Sequence, residues 1–225
     1  MKQIILNLFE FAELSDSAKE TARKWYRRCS DGDNDWSEYI IDEAVEQGKL
    51  LGIDFEMRDV QLHGGGTRQK PCIWWSGFSS QGDGACFEGT WRARDVKADK
   101  VAEGWGEAPE TTEIKHIAKE FAGIAKEYPD ASFVVTHRDR YMHEHSVSYD
   151  HESGIECDDE MAAKVAEFGD RESTEEDLQE TARDFMRWIY RRLEKAYEYE
   201  QSDECVDGNI EANEYTFTED GKRHD

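Results

Sequence analysis

The sequence predicts an α+β fold, a largely antiparallel sheet built from hairpins with about four helices packed on it. Apolar residues recur at helical spacing in four stretches, each opened by capping chemistry or closed by Gly or Pro. Between them lie short β-rich runs, several of them paired across glycine-rich or polar turns. The chain has 225 residues, 12% aromatic, with seven tryptophans, which is enough apolar area for a core and for a single domain spanning 1–225.

"QIILNLFEF" (3–11) is rich in β-formers and reads as a first strand. A helix follows over "LSDSAKETARKWYRRC". Ser15 or Ser17 caps it, Ser17 with Glu20 makes a capping box, and Ala18, Ala22, Trp25 and Cys29 share one face. A second helix runs from about Trp36 to Leu51 and stops at Gly52. "IDFEMRDVQL" (53–62) alternates as a strand, and "HGGGTRQKP" (63–71) reads as a loop. Strands at about 72–79 and 85–93 form a hairpin, with Gly82-Asp83-Gly84 as its positive-φ turn. "RDVKADKVAEGWGEAPET" (94–111) has no period and reads as a connector.

A third helix carries the stripe Ile114, Ile117, Ala118, Phe121, Ala125 and Tyr128, and Pro129 ends it. "ASFVVTHRDRYMHEHSVSYD" reads as strand, turn and strand. The last long helix is capped by Ser173 with Glu176 and runs to about Tyr199, and its arginines at 187, 191 and 192 complement the helix dipole. "NEYTFTEDGK" closes the chain as an edge strand.

Charge is the dominant global property. Asp plus Glu is 52 against 28 Lys plus Arg, a net of −24, and the C-terminal third (151–225) holds 24 of the acids and 9 of the bases. Such a field repels DNA, RNA and anionic membrane, so the expected partner is neither nucleic acid nor a membrane. Solubility, salt adaptation and a surface shaped for a basic partner each account for the acidity. The odd cysteine count, with no C-x-x-C pair, argues against a disulfide framework. The opening "MKQIILNLFEFAEL" lacks the pattern of a secretory signal, and no apolar run approaches a membrane span. A reducing cytoplasm is the expected location.

Several constellations carry chemistry on paper. Asp31, Asp33 and Asp35 have the spacing of a calcium loop, but Trp36 stands where the loop needs glycine and Asp42 where it needs a longer carboxylate. "HGGG" (63–66) is similar to the oxyanion loop of lipases, yet no G-x-S-x-G elbow accompanies it. His143 and His145 at i and i+2 on a strand, with His137 near the partner strand, make a metal alternative against the simpler reading of a solvated sheet face. In "WWSGFSSQGDGACFEG" (74–89), Gln81, Asp83 and Glu88 are candidate ligand or turn contacts, and a strand rather than a helix follows the glycines, which argues against a phosphate cradle. No catalytic residue and no cofactor is assigned.

The strings "LSDSAKETARKWYR", "LLGI", "SGFSSQGDGA" and "NEYTFTEDGK" together resemble a family of phage- and prophage-encoded acidic proteins of no agreed function, some labelled as toxin–antitoxin components. The present chain departs in carrying Ser79 where an aromatic is common. The resemblance implies a phage setting, in which small acidic proteins block host defence. Together with the charge, it gives the expectation of an acidic interaction protein. Such a protein inhibits a nucleic-acid-handling host complex, a CRISPR effector or restriction system, by mimicking DNA or occupying a basic groove. The expected contact is the acid-rich segment containing Asp158, Asp159, Glu160, Glu175, Glu176 and Asp177, and the partner a host protein or nucleoprotein with a basic surface. The alternative is a small-molecule binder or metal-dependent enzyme using the tryptophan hairpin and the His137, His143 and His145 strands.

Overall fold

The computed structural model describes residues 7–30, 35–138, 140–151 and 171–224. The fold is α+β, every strand pair described is antiparallel, and five helices lie among the described residues. These residues fall into two compact units, one of residues 39–192 and one of residues 1–38 with 193–225.

The larger unit is organised by a hydrogen-bonded knot of three strands. The expected strand 53–62 is in fact two, β2 (Ile53–Phe55) and β3 (Met57–Gln61), broken at Glu56. Likewise β4 (Thr67–Pro71) and β5 (Ile73–Trp75) are broken at Cys72, and β6 (Ala85–Phe87) and β7 (Gly89–Arg92) at Glu88. Each break is a change of partner: β2 pairs β7, β3 pairs β4, and β5 pairs β6. At the centre the three break residues bond one another in a ring. Glu56 N donates to Glu88 O at 2.9 Å, Cys72 N to Glu56 O at 2.7 Å, and Glu88 N to Cys72 O at 2.8 Å. Three two-stranded ribbons therefore leave one junction with no backbone donor at the crossing left unpaired.

One ribbon, β3–β4, is the expected 63–71 loop in its true form. His63–Gly66 is the turn, and Thr67–Pro71 pairs back on Met57–Gln61 in full register. Its residues are mostly exposed. The β2–β7 ribbon is extended by β8 (Ser132–His137) and β9 (Val147–His151) into a four-stranded sheet in the order β2-β7-β8-β9. Ile53, Trp91 and Phe133 stand side by side across three strands and are all buried. Asp54 and Asp150 on the other face are exposed. The buried face is covered by α3 (Pro109–Glu127), whose Phe121 stacks on Trp91 at 5.6 Å. It is also covered by α4 (Arg171–Glu200), whose Phe185 meets Phe55 and Phe87. Buried indoles find acceptors, as burial requires: Trp91 Nε1 donates to Leu51 O at 2.9 Å and Trp188 Nε1 to Glu110 O at 3.0 Å.

Helix α2 (Asp35–Leu50) ends as expected at Gly52, where φ is +89° and an added Cβ would lie 2.7 Å from Arg92 O. Helix α4 begins at Arg171, so Ser173 is inside the helix rather than its cap. The arginines at 187, 191 and 192 accordingly sit mid-helix. They pair with carboxylates, Arg191 with Glu113 and Arg192 with Glu43, rather than with the helix end.

The smaller unit packs α1 (Asp16–Cys29) on α5 (Asp203–Ala212), a helix that the sequence reading missed. Ser15 caps α1 through Ala18 N, and Ser202 caps α5 through Cys205 N. Phe11, Leu14, Ala18, Ala22, Val206, Ile210 and Phe217 form the core. Arg23 clamps the two helices with paired bonds of 2.6 Å to both oxygens of Asp207, which holds its charge more firmly than usual. The first strand is short, β1 (Phe9–Glu10). It pairs with β10 (Thr216–Phe217), which turns back into β11 (Arg223–His224), so the expected closing strand is a hairpin.

Gly89 is the tightest point of the sheet, because an added Cβ would lie 2.5 Å from Asp54 O. Gly89→Ala is therefore expected to cost about 2 kcal/mol. Gly123→Ala, on the exposed side of α3 with open space around it, is expected to add about 0.8 kcal/mol. Urea unfolding of the two variants checks both signs.

Candidate functional site

The glycine-rich stretch leaves β5 and returns in β6 through a loop, residues 76–84, that is closed by Ser76 N donating to Gly84 O at 3.1 Å. Asp83 holds the loop from inside. Its Oδ2 accepts from Ser80 N at 2.6 Å and Ser79 N at 3.0 Å, and these two backbone bonds lower its pKa. Gly82 and Gly84 are not the expected positive-φ turn, since neither has positive φ. They are there for space. An added Cβ at Gly82 would lie 3.0 Å from the Tyr141 ring, and one at Gly84 would lie 3.0 Å from the His143 ring and 3.1 Å from Met142 O. The glycines let the loop lie flat on the turn between β8 and β9.

That turn carries the histidines. Sequence spacing places His143 and His145 on a strand face, but the strand stops at His137 and resumes at Val147. The two rings instead stack at 5.3 Å within the turn, and His145 N donates to His143 Nδ1 at 3.2 Å. Glu144, between them in the chain, has Oε2 3.1 Å from His143 Nδ1 and Oε1 accepting from Arg187 Nε at 3.0 Å. Potential ligand atoms of His143, Glu144 and His145 all lie within 4.8 Å of one another. His137 stands apart from this group. Its ring stacks on Trp74 at 5.4 Å, its Nε2 meets Tyr141 O at 2.9 Å, and its backbone N donates to Glu88 Oε1 at 3.0 Å.

Helix α4 forms the wall behind the turn. Arg187 gathers Glu144, Glu180 at 2.6 Å and Asp184 at 2.8 Å. Burial works against its charge, but the three carboxylates outweigh that and its pKa rises. Glu180 is lowered chiefly by its bond to Arg187. Tyr190 Oη donates to Gly77 O at 2.8 Å while its ring meets Phe78, which stacks on Trp75. The Tyr149 hydroxyl is pushed up to about 12 by burial, and Arg183 over its ring partly offsets this. The Cys86 thiol, also buried, is pushed up to about 12, and Cys72 is raised for the same first reason.

The structure thus brings together the tryptophan hairpin and the histidine segment, with Asp83 as loop anchor, Glu88 as the tie between the strand junction and β8, and Gln81 exposed in the loop. Sequence reasoning missed Glu144 as the carboxylate beside His143, and Arg187 as its partner. The adjacency of Glu144 to the histidines was visible, but the pairing with a residue 43 positions away was not. On α4, Glu176 and Asp177 are exposed and Glu175 is partly so, whereas Asp158, Asp159 and Glu160 lie outside the described residues, as do Asp31 and Asp33 of the calcium-like spacing. No helix among the described residues is long and apolar enough to cross a membrane.

Two measurements check this site. Asp83 has a lowered folded pKa, so its contribution is present in full above its ordinary value of 3.8 and is lost as pH falls through the lower folded value. Asp83→Ala is expected to cost about 1 kcal/mol at pH 7, the size of a lost cap, and the gap in melting temperature to wild type should narrow in acid. Alkylation of the native chain followed by peptide mapping is expected to label exposed Cys29 and spare Cys72 and Cys86.

Compared with known proteins, residues 36–203 match the family model of a domain of unknown function (DUF8835). No curated protein and no solved structure matches the chain.

Proposed function

The chain belongs to the DUF8835 family, and we propose that it is an acidic interaction protein of phage type that inhibits a nucleic-acid-handling host defence complex in the host cytoplasm. The observation that carries this reading is the charge, −24 over 225 residues, with most of the excess in the C-terminal third. A protein so charged is drawn to basic grooves that evolved to hold nucleic acid, and it competes there for the same cations. The early turns of α4 support the reading, because they offer Glu175, Glu176 and Asp177 in partly or fully exposed positions on a rigid element. Lower on the same helix Glu180 and Asp184 are committed to Arg187, so the contact is assigned chiefly to exposed Glu176 and Asp177. The chain binds as protein and blocks; it contacts no nucleic acid itself.

Affinity capture from infected host cells with the tagged full-length chain tests this. The expected result is a basic nucleoprotein complex retained at low ionic strength and released as salt rises, since exposed charges are screened within about 10 Å at 0.1 M. Glu176→Lys with Asp177→Lys should weaken capture at least tenfold without lowering the melting temperature. Recovery of no basic complex at low salt, or capture indifferent to salt and to the reversal, overturns the reading.

A further inference from the structure

We propose that His143, Glu144 and His145 form a binding site for a divalent transition-metal ion of zinc-like preference. The donor set is two imidazoles and one carboxylate, which suits a borderline metal better than calcium or magnesium, whose ligands are oxygens. Potential ligand atoms of all three groups lie within 4.8 Å of one another. The His143 Nδ1 to Glu144 Oε2 separation of 3.1 Å is the spacing of two neighbouring ligands around one ion, given metal–ligand bonds of about 2.0–2.2 Å. His145 is exposed, so its ring can turn to close the third position.

The local hydrogen bonding points the same way. His143 Nδ1 accepts from His145 N–H at 3.2 Å and also faces Glu144 Oε2. An imidazole nitrogen carries either a proton or a lone pair. With a lone pair rather than a proton on Nδ1, that nitrogen and the carboxylate oxygen face each other as two acceptors, and a cation bound between them takes the lone pair in place of the His145 N–H. The second oxygen of Glu144 is held by Arg187 Nε at 3.0 Å, which fixes the carboxylate in orientation and leaves Oε2 for the ion. Arg187 is thus a positioning residue. The backbone of the glycine-rich loop supports the other side, since Gly84 lies against His143. His137 is not a ligand; its Nε2 is against Tyr141 O and its ring against Trp74.

This site is independent of the proposed acidic contact and can fail without it. The test is a calorimetric titration of the full-length, chelator-treated chain with zinc chloride. The expected result is one equivalent bound. His145→Ala and Glu144→Gln should each weaken binding at least tenfold, and His63→Ala, in the turn of the exposed β3–β4 ribbon, should leave it unchanged. Circular dichroism of each variant separates lost binding from lost folding. Cobalt(II) in place of zinc should give visible absorption bands that His145→Ala abolishes. Absence of zinc binding by the folded wild-type chain, or binding that His145→Ala leaves unchanged, overturns the proposal.

Discussion

Three backbone hydrogen bonds, Glu56 to Glu88, Cys72 to Glu56 and Glu88 to Cys72, hold the point from which the larger unit is built. Each bond joins two strands at the residue where both change partner. The ribbon β2–β7 goes on into the four-stranded sheet and carries the core ladder of Ile53, Trp91 and Phe133. The ribbon β5–β6 carries the glycine-rich loop, and β3–β4 projects into solvent. The ring has no slack, because moving any one strand by a residue would leave a donor at the crossing unpaired and turn its side chains to the opposite face. Cys72 is small and buried where it sits, and Gly89, the next residue after the Glu88 break, lets two backbones close to contact.

The junction also sets the chemistry of the site. Glu88 is a junction residue by its backbone and reaches His137 N by its side chain, so the end of β8 is tied to the crossing. The turn after β8 then lies on the loop after β5, with glycines at the contact because no side chain fits. His143, Glu144 and His145 are gathered by that turn and backed by Arg187 from α4. The carboxylate cluster around Arg187 has one guanidinium donating to three acids, Glu144, Glu180 and Asp184, which draws them into the fold of a strongly anionic protein. Its acids are therefore of a different kind from Glu176 and Asp177, which face solvent.

Much of the fold was legible residue by residue. The stripe Ile114, Ile117, Ala118 and Phe121 is buried as its spacing predicts, and Ser15 caps α1 through a side-chain bond. What failed did so for stated reasons. Strand alternation runs straight through Glu56 and Glu88, since a change of hydrogen-bond partner leaves no mark on side-chain polarity. Helix α5 is short and polar on most of its surface, so "SDECVDGNIEAN" shows only Val206 and Ile210 as a stripe, and Gly208 obscures it. The Gly82-Asp83-Gly84 string suggests a backbone need for positive φ, whereas the need is for empty space beside Tyr141 and His143. Spacing within a sequence cannot separate these two uses of glycine.

The sequence by itself determined the α+β class, the position of most helices, the acidity and its concentration in the last third, and the identity of the groups able to do chemistry. These are properties of local pattern and of summed charge, and both are carried by residues near one another in the chain or by none in particular. Only the tertiary structure decided which of those groups meet. The His143–Glu144–Arg187 contact, the stack of Trp74 on His137 and the ring of bonds at Glu56, Cys72 and Glu88 each join segments whose separation along the chain is spanned by folding. Such contacts are selected by the closure of strands on one another, which is a collective outcome of packing and backbone pairing.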